Sequence, residues 1–271
     1  MSDPTPSALL SPDPIDQVLK EMDEIVAWCL ANASRAGYFA ALYRRVTRTV
    51  RSKIGTGYFD DDARMETLDV TFATRYLTAF HQWRAADRAI STCWQVAFDA
   101  VADPTLIILQ NLLTGMNAHI NYDLGIAAAQ VAGTMEGLDS LHGDFDKINS
   151  LLACLVPTVF SELGSLSPLI HLVEDLAGPD EEKLVDVVME FARDFSWLLA
   201  NELVILSGRP DLEQKLLTTK DREVAWIGQR LIHPGGSLEK ILHVVWLPES
   251  KDVVKNIEAL AAPALLPASC G

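Results

Sequence analysis

Four polar side chains interrupt an otherwise apolar stretch near the middle of the chain: Asn117, His119, Asn121 and Asp123. From Leu106 to Val131 the sequence contains no Lys or Arg, and Asp123 is its only carboxylate. Polar groups in a protein interior cost free energy unless they are hydrogen-bonded, bound to a ligand or used in catalysis. The pattern therefore predicts that a functional site lies in this segment.

On a helix, His119 and Asp123 are one turn apart and share a face. A carboxylate that accepts from one imidazole nitrogen fixes the tautomer and raises the basicity of the ring. The other nitrogen can then act as a general base or bind a metal. The simpler alternative is a buried His–Asp pair with a packing role. Asn117 and Asn121 point to nearly the opposite side, where helix–helix hydrogen bonding is the favoured interpretation.

A second group of polar residues follows at Leu138–Asn149. His142 and Asp146 repeat the His-x-x-x-Asp spacing, and two such elements on adjacent helices could supply imidazoles and carboxylates to a metal ion. Gly143, however, could interrupt the helix, and Asp144 could then be the N-cap of a helix that starts there. In that alternative His142 lies in a loop and the repeat is accidental.

A third candidate is Arg193, which shares a helix side with Trp197, away from the apolar stripe that includes Phe195 and Leu198. Arg193 could bind an anionic substrate group, or neutralise one of the aspartates. A surface ion pair is the alternative interpretation. Upstream, the region of Asp69, Arg75 and Tyr76 has the same two interpretations, a functional one and a structural one.

The elements that must position these residues are helices. Apolar residues recur at helical spacing, for example Val18, Met22, Ile25 and Cys29. Pro and Gly punctuate the chain, and alternating β-branched runs are missing. We predict one all-α domain at residues 15–260, a bundle of roughly nine to eleven helices around a buried central helix. We expect a flexible segment at residues 1–14 and a loose tail at 261–271.

Composition limits the classes of partner. The net charge is −15, which disfavours nucleic acid and anionic membrane surfaces. We find neither a signal-peptide pattern nor an apolar run of about 18 residues, and therefore expect no membrane span and a cytoplasmic location. The four cysteines are scattered without a Cys-x-x-Cys pair, so we expect reduced thiols.

The stretch from Gly115 to Leu124, GMNAHINYDL, resembles the motif of the domain-of-unknown-function family 5995. The resemblance extends to Phe72–Leu77 upstream, and downstream to Asp144-Phe145, Ile148-Asn149 and the segment from Ala192 to Trp197. It implies an all-α fold in which the matched positions belong together. It also favours Asp144 over Asp146 as the functional carboxylate.

Taken together, these patterns favour a small-molecule enzyme in an all-α bundle. We expect general acid/base chemistry of the isomerase, cyclase or lyase type on a lipophilic substrate of specialised metabolism. The catalytic residues would be His119, Asp123 and Asp144, all within hydrogen-bond reach of one another or of a bridging water. Substrate-binding candidates are Arg75, Asn121, Tyr122, Arg193 and Trp197. No cofactor is expected.

Two alternatives stay open. One is a metal-dependent hydrolase in which His119, Asp123 and Asp144, with His142 as a fourth ligand, hold a divalent cation that activates water. The other is a non-enzymatic helical binding or scaffold protein, in which the polar residues of the central helix only fix its packing.

Overall fold

The computed structural model describes residues 14–173 and 181–262, including side chains outside 181–191. Within these ranges every regular element is a helix, which confirms the all-α prediction. The α-helices are α1 (Pro14–Ala31), α2 (Ala36–Lys53), α3 (Asp62–Arg84), α4 (Thr92–Ala100), α5 (Ile108–Ala118), α6 (Gly125–Ala132), α7 (Met135–Leu166), α8 (Glu181–Ile205), α9 (Pro210–Ile232), α10 (Gly236–Trp246) and α11 (Val253–Ala261). A π-helix, His119–Leu124, joins α5 to α6.

We expected flexibility at residues 1–14 and a loose tail at 261–271. Most of these two chain ends, namely 1–13 and 263–271, lies outside the described residues. The domain limits of 15–260 therefore stay a prediction. The described helices begin at Pro14 and end at Ala261.

The predicted central helix is a continuous rod of α5, the π-helix and α6. It is surrounded by α2, α3, α4, α7, α8 and α9. The rod lies close to α8 at Gly125, where an added Cβ would lie 2.4 Å from the Ser196 carbonyl oxygen. Because only glycine allows the two backbones to come so close, Gly125 sets the position of α8 against the rod.

Local signals in the sequence explain where the neighbouring helices begin. The Asp61 carboxylate accepts from the Arg64 backbone N–H (3.0 Å) and so caps α3. The Thr134 hydroxyl accepts from the Gly137 N–H (3.0 Å) and caps α7. These caps satisfy N–H groups that lack partners within the first turn of a helix.

The apolar stripe of α1 is buried as predicted, but the predicted face of α8 is wrong. Leu198, expected to face the core, is 52% exposed, whereas Arg193, Ser196 and Leu199 are buried. The side chains of residues 181–191, which hold the first half of that stripe, lie outside the described set. The buried face is rotated because α8 packs its small and polar residues against the rod, and this rotation turns Arg193 inward.

Helix α7 runs unbroken through Gly143 and Pro157, so the alternative in which Asp144 caps a new helix and His142 lies in a loop is wrong. By length and composition, α7 is the one helix of the described ranges that could cross a membrane. A core helix in a water-soluble protein meets the same test. Eight of its apolar side chains line the cavity described below, and this role explains part of the apolar composition of α7.

The cysteines correct one further expectation. Cys29 and Cys93 are buried free thiols, as predicted. Cys154, on α7, is disulfide-bonded, so the prediction of four reduced thiols is wrong for this residue.

Candidate functional site

The polar motif coincides with a change of helix type. Six residues, His119–Leu124, form the π-helix, whereas the spacing analysis assumed an α-helix here. A π-helix has wider turns and i→i+5 hydrogen bonds, and single-turn insertions of this kind are frequent at functional sites. The His119–Asp123 contact survives in this geometry, with Nδ1 and Oδ2 3.3 Å apart.

Asp123 is buried and accepts from three side chains. The Arg75 Nε donates to Oδ1 (2.8 Å), and the Trp94 Nε1 donates to Oδ2 (2.8 Å). His119 shares Oδ2. With both oxygens held by donors from α3 and α4, the carboxylate is fixed in place and can orient the imidazole. Arg75, which we predicted to bind substrate, thus neutralises the charge of Asp123. From the sequence we considered this role for Arg193.

The His119 ring is enclosed by aromatic side chains. It stacks on Phe72 with ring centroids 3.6 Å apart, and Tyr43 meets its edge at 4.3 Å. The side chain is 2% exposed. Burial lowers the pKa of His119, while the hydrogen bond and charge of Asp123 act in the opposite direction. The net lowering favours the neutral imidazole, which we assign as the tautomer with Nδ1–H donating to Asp123.

The second ring nitrogen of His119 is free. Nε2 is buried and has no hydrogen-bond partner among the described residues. A buried unsatisfied nitrogen is uncommon in proteins and calls for a ligand, a water or a chemical role. Here the His119 side chain forms part of the wall of a cavity.

That cavity has a volume of about 630 Å³. Its described walls come mainly from α2, α3, α5, the π-helix and α7, and they are apolar except for four side chains: Tyr43, Asp69, His119 and Arg193. A mostly apolar pocket of about 300–1,000 Å³ with a few polar groups is typical of a small-molecule site.

Asp69 lines the cavity, whereas the sequence only placed it in a region, with Arg75 and Tyr76, whose role was ambiguous. It lies on α3, one turn before Phe72, and is buried with Oδ2 lacking a partner in the described part of the chain. Burial raises its pKa to about 7. The pKa of Tyr43 is raised mainly by the burial of Tyr43 itself, and next by the charge of Asp69. The available signal was an aspartate within the apolar stripe of Met65, Leu68, Phe72 and Tyr76.

Arg193 is a buried cation at the wall of the same cavity. One Nη donates to the Phe145 carbonyl oxygen (2.5 Å), and the guanidinium lies over the Phe145 ring, 4.1 Å from its centroid. Burial lowers its pKa to about 10, while the charges of Asp146 and Asp194 act in the opposite direction. No carboxylate of the described residues forms an ion pair with it, and its Nε has no partner there.

Asp144, predicted as a catalytic residue, has another environment. It is fully buried and accepts from the backbone N–H groups of Asp60 (2.7 Å) and Asp61 (3.0 Å), from Arg64 (3.2 Å) and from Lys147 (3.0 Å). Burial tends to raise its pKa, but these donors outweigh burial and lower it. Asp144 is absent from the described cavity walls. Through these hydrogen bonds Asp144 links α7 to the start of α3. The other two predicted catalytic residues, His119 and Asp123, are not among its hydrogen-bond partners.

The other predicted ligand-binding residues also lie outside the described cavity walls. The Asn121 amide donates to the Asn117 side chain (2.9 Å), which donates to the Val224 carbonyl of α9 (2.8 Å). This confirms the helix–helix role for Asn117. Tyr122 packs beneath the Arg75 guanidinium, and Trp197 contacts the rings of Phe145 and His142. Their substrate-binding roles stay predictions.

The predicted metal ligands are not brought together. His142 pairs with Asp146 on the surface, with Nδ1 and Oδ2 3.6 Å apart and both side chains about half exposed. His119 and Asp123 form a separate, buried pair. In the described parts of the chain, no three His, Cys, Asp or Glu side chains are arranged to hold a metal ion. The donor set that the metal hypothesis requires is therefore not formed by these residues.

Comparison with known proteins agrees with the resemblance found in the sequence. A model described as "Family of unknown function (DUF5995)" matches residues 15–234. The chain belongs to this family. The DUF5995 match includes the central rod and every described cavity-lining residue, from Phe39 to Arg193. Searches among curated proteins and among solved structures give no match. The family description names no activity, so function has to be argued from the site.

Proposed function

We propose that this DUF5995 protein is an enzyme that catalyses proton transfer on a lipophilic small molecule bound in the cavity. The observation that carries the proposal is the free Nε2 of His119. The His119 side chain borders an apolar cavity, while Nδ1 is engaged by a fixed carboxylate. A neutral imidazole oriented in this way is a general base.

The surroundings of His119 suit this role. The aromatic rings exclude water from the imidazole, and in such an environment electrostatic interactions are stronger than in water. Asp123 stabilises the imidazolium that forms when Nε2 accepts a proton. Arg75 and Trp94 keep Asp123 in place without touching the cavity. Their contribution is to position the base.

Asp69 takes the second acid/base role that had been assigned to Asp144. With a pKa near 7 it carries a proton in a large fraction of molecules at neutral pH. In an isomerisation, Nε2 removes a proton from one substrate carbon and the Asp69 carboxyl donates one at another position. The protein is then left with imidazolium and carboxylate, and return of one proton restores it. Atoms and charge balance without an oxidant or reductant.

The test is proton exchange in heavy water. Pools of lipophilic ketones, enones and unsaturated acids are incubated with the protein in D₂O, and mass spectrometry records deuterium uptake and isomer formation. We expect His119→Gln to lose exchange by at least about a hundredfold, the usual scale of general base catalysis. The matched control is His142→Gln, since His142 has the same spacing to a carboxylate but lies on the surface. It should leave exchange unchanged.

His119→Phe serves as a second variant because it preserves the ring stack on Phe72 if the Gln variant folds poorly. Equal exchange by wild type and a folded His119→Phe variant would contradict the proposal.

A non-enzymatic carrier is the second candidate, and the apolar character of the cavity wall favours it. A carrier would hold a ligand without deuterium uptake at any position. Ligands that bind tightly to both wild type and His119→Phe, and return unchanged, would favour the carrier over the enzyme.

A further inference from the structure

One cation is built into the wall of a cavity that is otherwise almost wholly apolar. Arg193 is 4% exposed, and a single hydrogen bond to the Phe145 carbonyl leaves most of its five N–H donors without a described acceptor. Elsewhere in the described chain the buried arginine Arg45 has a carboxylate partner, with its Nη1 2.5 Å from a Glu162 oxygen. Removing a charge from water without a partner is costly. Arg193 therefore has unused capacity for an anion.

We propose that the ligand of this cavity is an amphipathic monoanion, whose carboxylate binds Arg193 and whose long apolar chain lies along α7. This inference deepens the proposed function by naming its substrate class, and rests on the same cavity being the working site.

The number of cations favours a carboxylate over a phosphate. Among the described wall residues Arg193 is the only Lys or Arg, and it offers the planar fork of donors that a carboxylate accepts in a bidentate manner. A phosphate monoester carries between one and two negative charges near neutral pH, and a diphosphate carries more. Either would leave excess negative charge in an apolar cavity that also holds Asp69. One monoanion balances one cation.

The shape of the wall favours a long chain. Residues of α7 line the cavity from Ile148 to Leu163, which corresponds to ~22 Å along a helix that rises about 1.5 Å per residue. The apolar lining also includes Leu109, Leu112 and Met116 of α5. Each methylene that leaves water for such a surface adds to the binding free energy. An extended alkyl or terpenoid chain gains most from a site of this kind.

The experiment compares three probes of equal chain length on the full chain: hexadecanoic acid, hexadecanol and hexadecyl phosphate. Binding is measured by displacement of a fluorescent fatty acid, with calorimetry as a check. We expect wild type to bind the acid at least about tenfold tighter than the alcohol, since hydrogen bonds between charged groups are stronger than those between neutral groups. In Arg193→Gln this preference should fall to about threefold or less, while alcohol binding stays unchanged.

The controls separate a charge effect from a folding effect. Arg193→Lys keeps the charge and should keep a preference for the acid. Arg45→Gln removes the other buried arginine, which is outside the cavity wall, and should leave the preference intact. An acid preference that persists in Arg193→Gln would overturn the inference, as would equal binding of acid and alcohol by wild type. Tighter binding of the phosphate than of the acid would overturn the choice of carboxylate.

The two proposals fail in different ways. If the acid binds through Arg193 but no compound shows His119-dependent deuterium uptake, the ligand class stands and the enzyme proposal fails. If none of the three probes binds while another compound is exchanged in a His119-dependent manner, the enzyme proposal stands and the ligand class is wrong.

Discussion

The imidazole of His119 lies flat on the phenyl ring of Phe72, with centroids 3.6 Å apart and planes 5° from parallel. This stack joins the π-helix to α3 and holds the ring at the edge of the cavity. Because α3 also carries Asp69 one turn earlier, the same contact sets the base and the proposed acid on one wall. The other edge of the imidazole faces the fixed carboxylate of Asp123.

Asp69 should make the stability of the protein depend on pH. Burial raises its folded-state pKa from 3.8 to about 7, so the folded form binds more protons than the unfolded form between these values. The contribution of Asp69 to stability is therefore fully present below about pH 4 and is lost as pH rises through 7. We expect Asp69→Asn to be more stable than wild type at pH 8, by about 2–4 kcal/mol at about 1.4 kcal/mol per pKa unit.

Chemical denaturation of both proteins at pH 4.5 and pH 8 tests this expectation. The advantage of Asp69→Asn should shrink towards the lower pH. A difference between the two proteins that does not change with pH would show that the Asp69 pKa is not raised.

Asp144 should be needed for folding and not for the chemistry of the cavity. Asp144→Ala leaves the N–H groups of Asp60 and Asp61 and two cations without their shared acceptor. We expect a loss of about 3–5 kcal/mol in the free energy of unfolding. Asp146→Ala, two residues away and about half exposed, is the matched control and should cost less than about 1 kcal/mol.

In the folded fraction, Asp144→Ala should bind cavity ligands with wild-type affinity. Selective loss of ligand exchange at undiminished stability would restore the catalytic role first predicted for Asp144.

Gly115 should be required by the aromatic wall around His119. An added Cβ would lie 2.6 Å from Cγ of Phe39, whose ring contacts those of Tyr43 and His119. We expect Gly115→Ala to lower the free energy of unfolding by about 1–3 kcal/mol, as overpacking of a core does. Gly164→Ala is the control on α7, where an added Cβ meets nothing within 4 Å. It should be neutral or stabilise by up to about 1 kcal/mol, because alanine favours the helix.

Thermal denaturation of the two glycine variants, each beside wild type, gives the comparison. Equal effects of the two substitutions would mean that Phe39 moves freely and does not brace the wall.

Local spacing predicted the part of the site that depends on neighbours along the chain. The His119–Asp123 pair and the buried central helix follow from periodicity within one segment. The hydrogen bonds of Asp144 were not predicted because two of its four donors come from the loop before α3, more than eighty residues away. No local pattern encodes that contact.

The roles of Asp69 and Arg193 in the site could not be predicted from local sequence spacing either. Asp69 belongs to the site because the packing of the helices buries it at the cavity wall, and this burial is what raises its pKa. Arg193 faces inward because α8 is rotated by close packing at Gly125 and Ser196. Both facts depend on how helices pack, which periodicity within a single helix does not determine.

The most direct test of the central claim is the protonation state of His119, read by ¹⁵N NMR of histidine-labelled protein. The chain has six histidines, and His119→Phe identifies the signal. We predict a neutral ring at pH 7 with the proton on Nδ1, a bare Nε2, and titration below the ordinary value of 6.5. A charged imidazolium at pH 7, or a proton on Nε2, would contradict the proposal that His119 is the base.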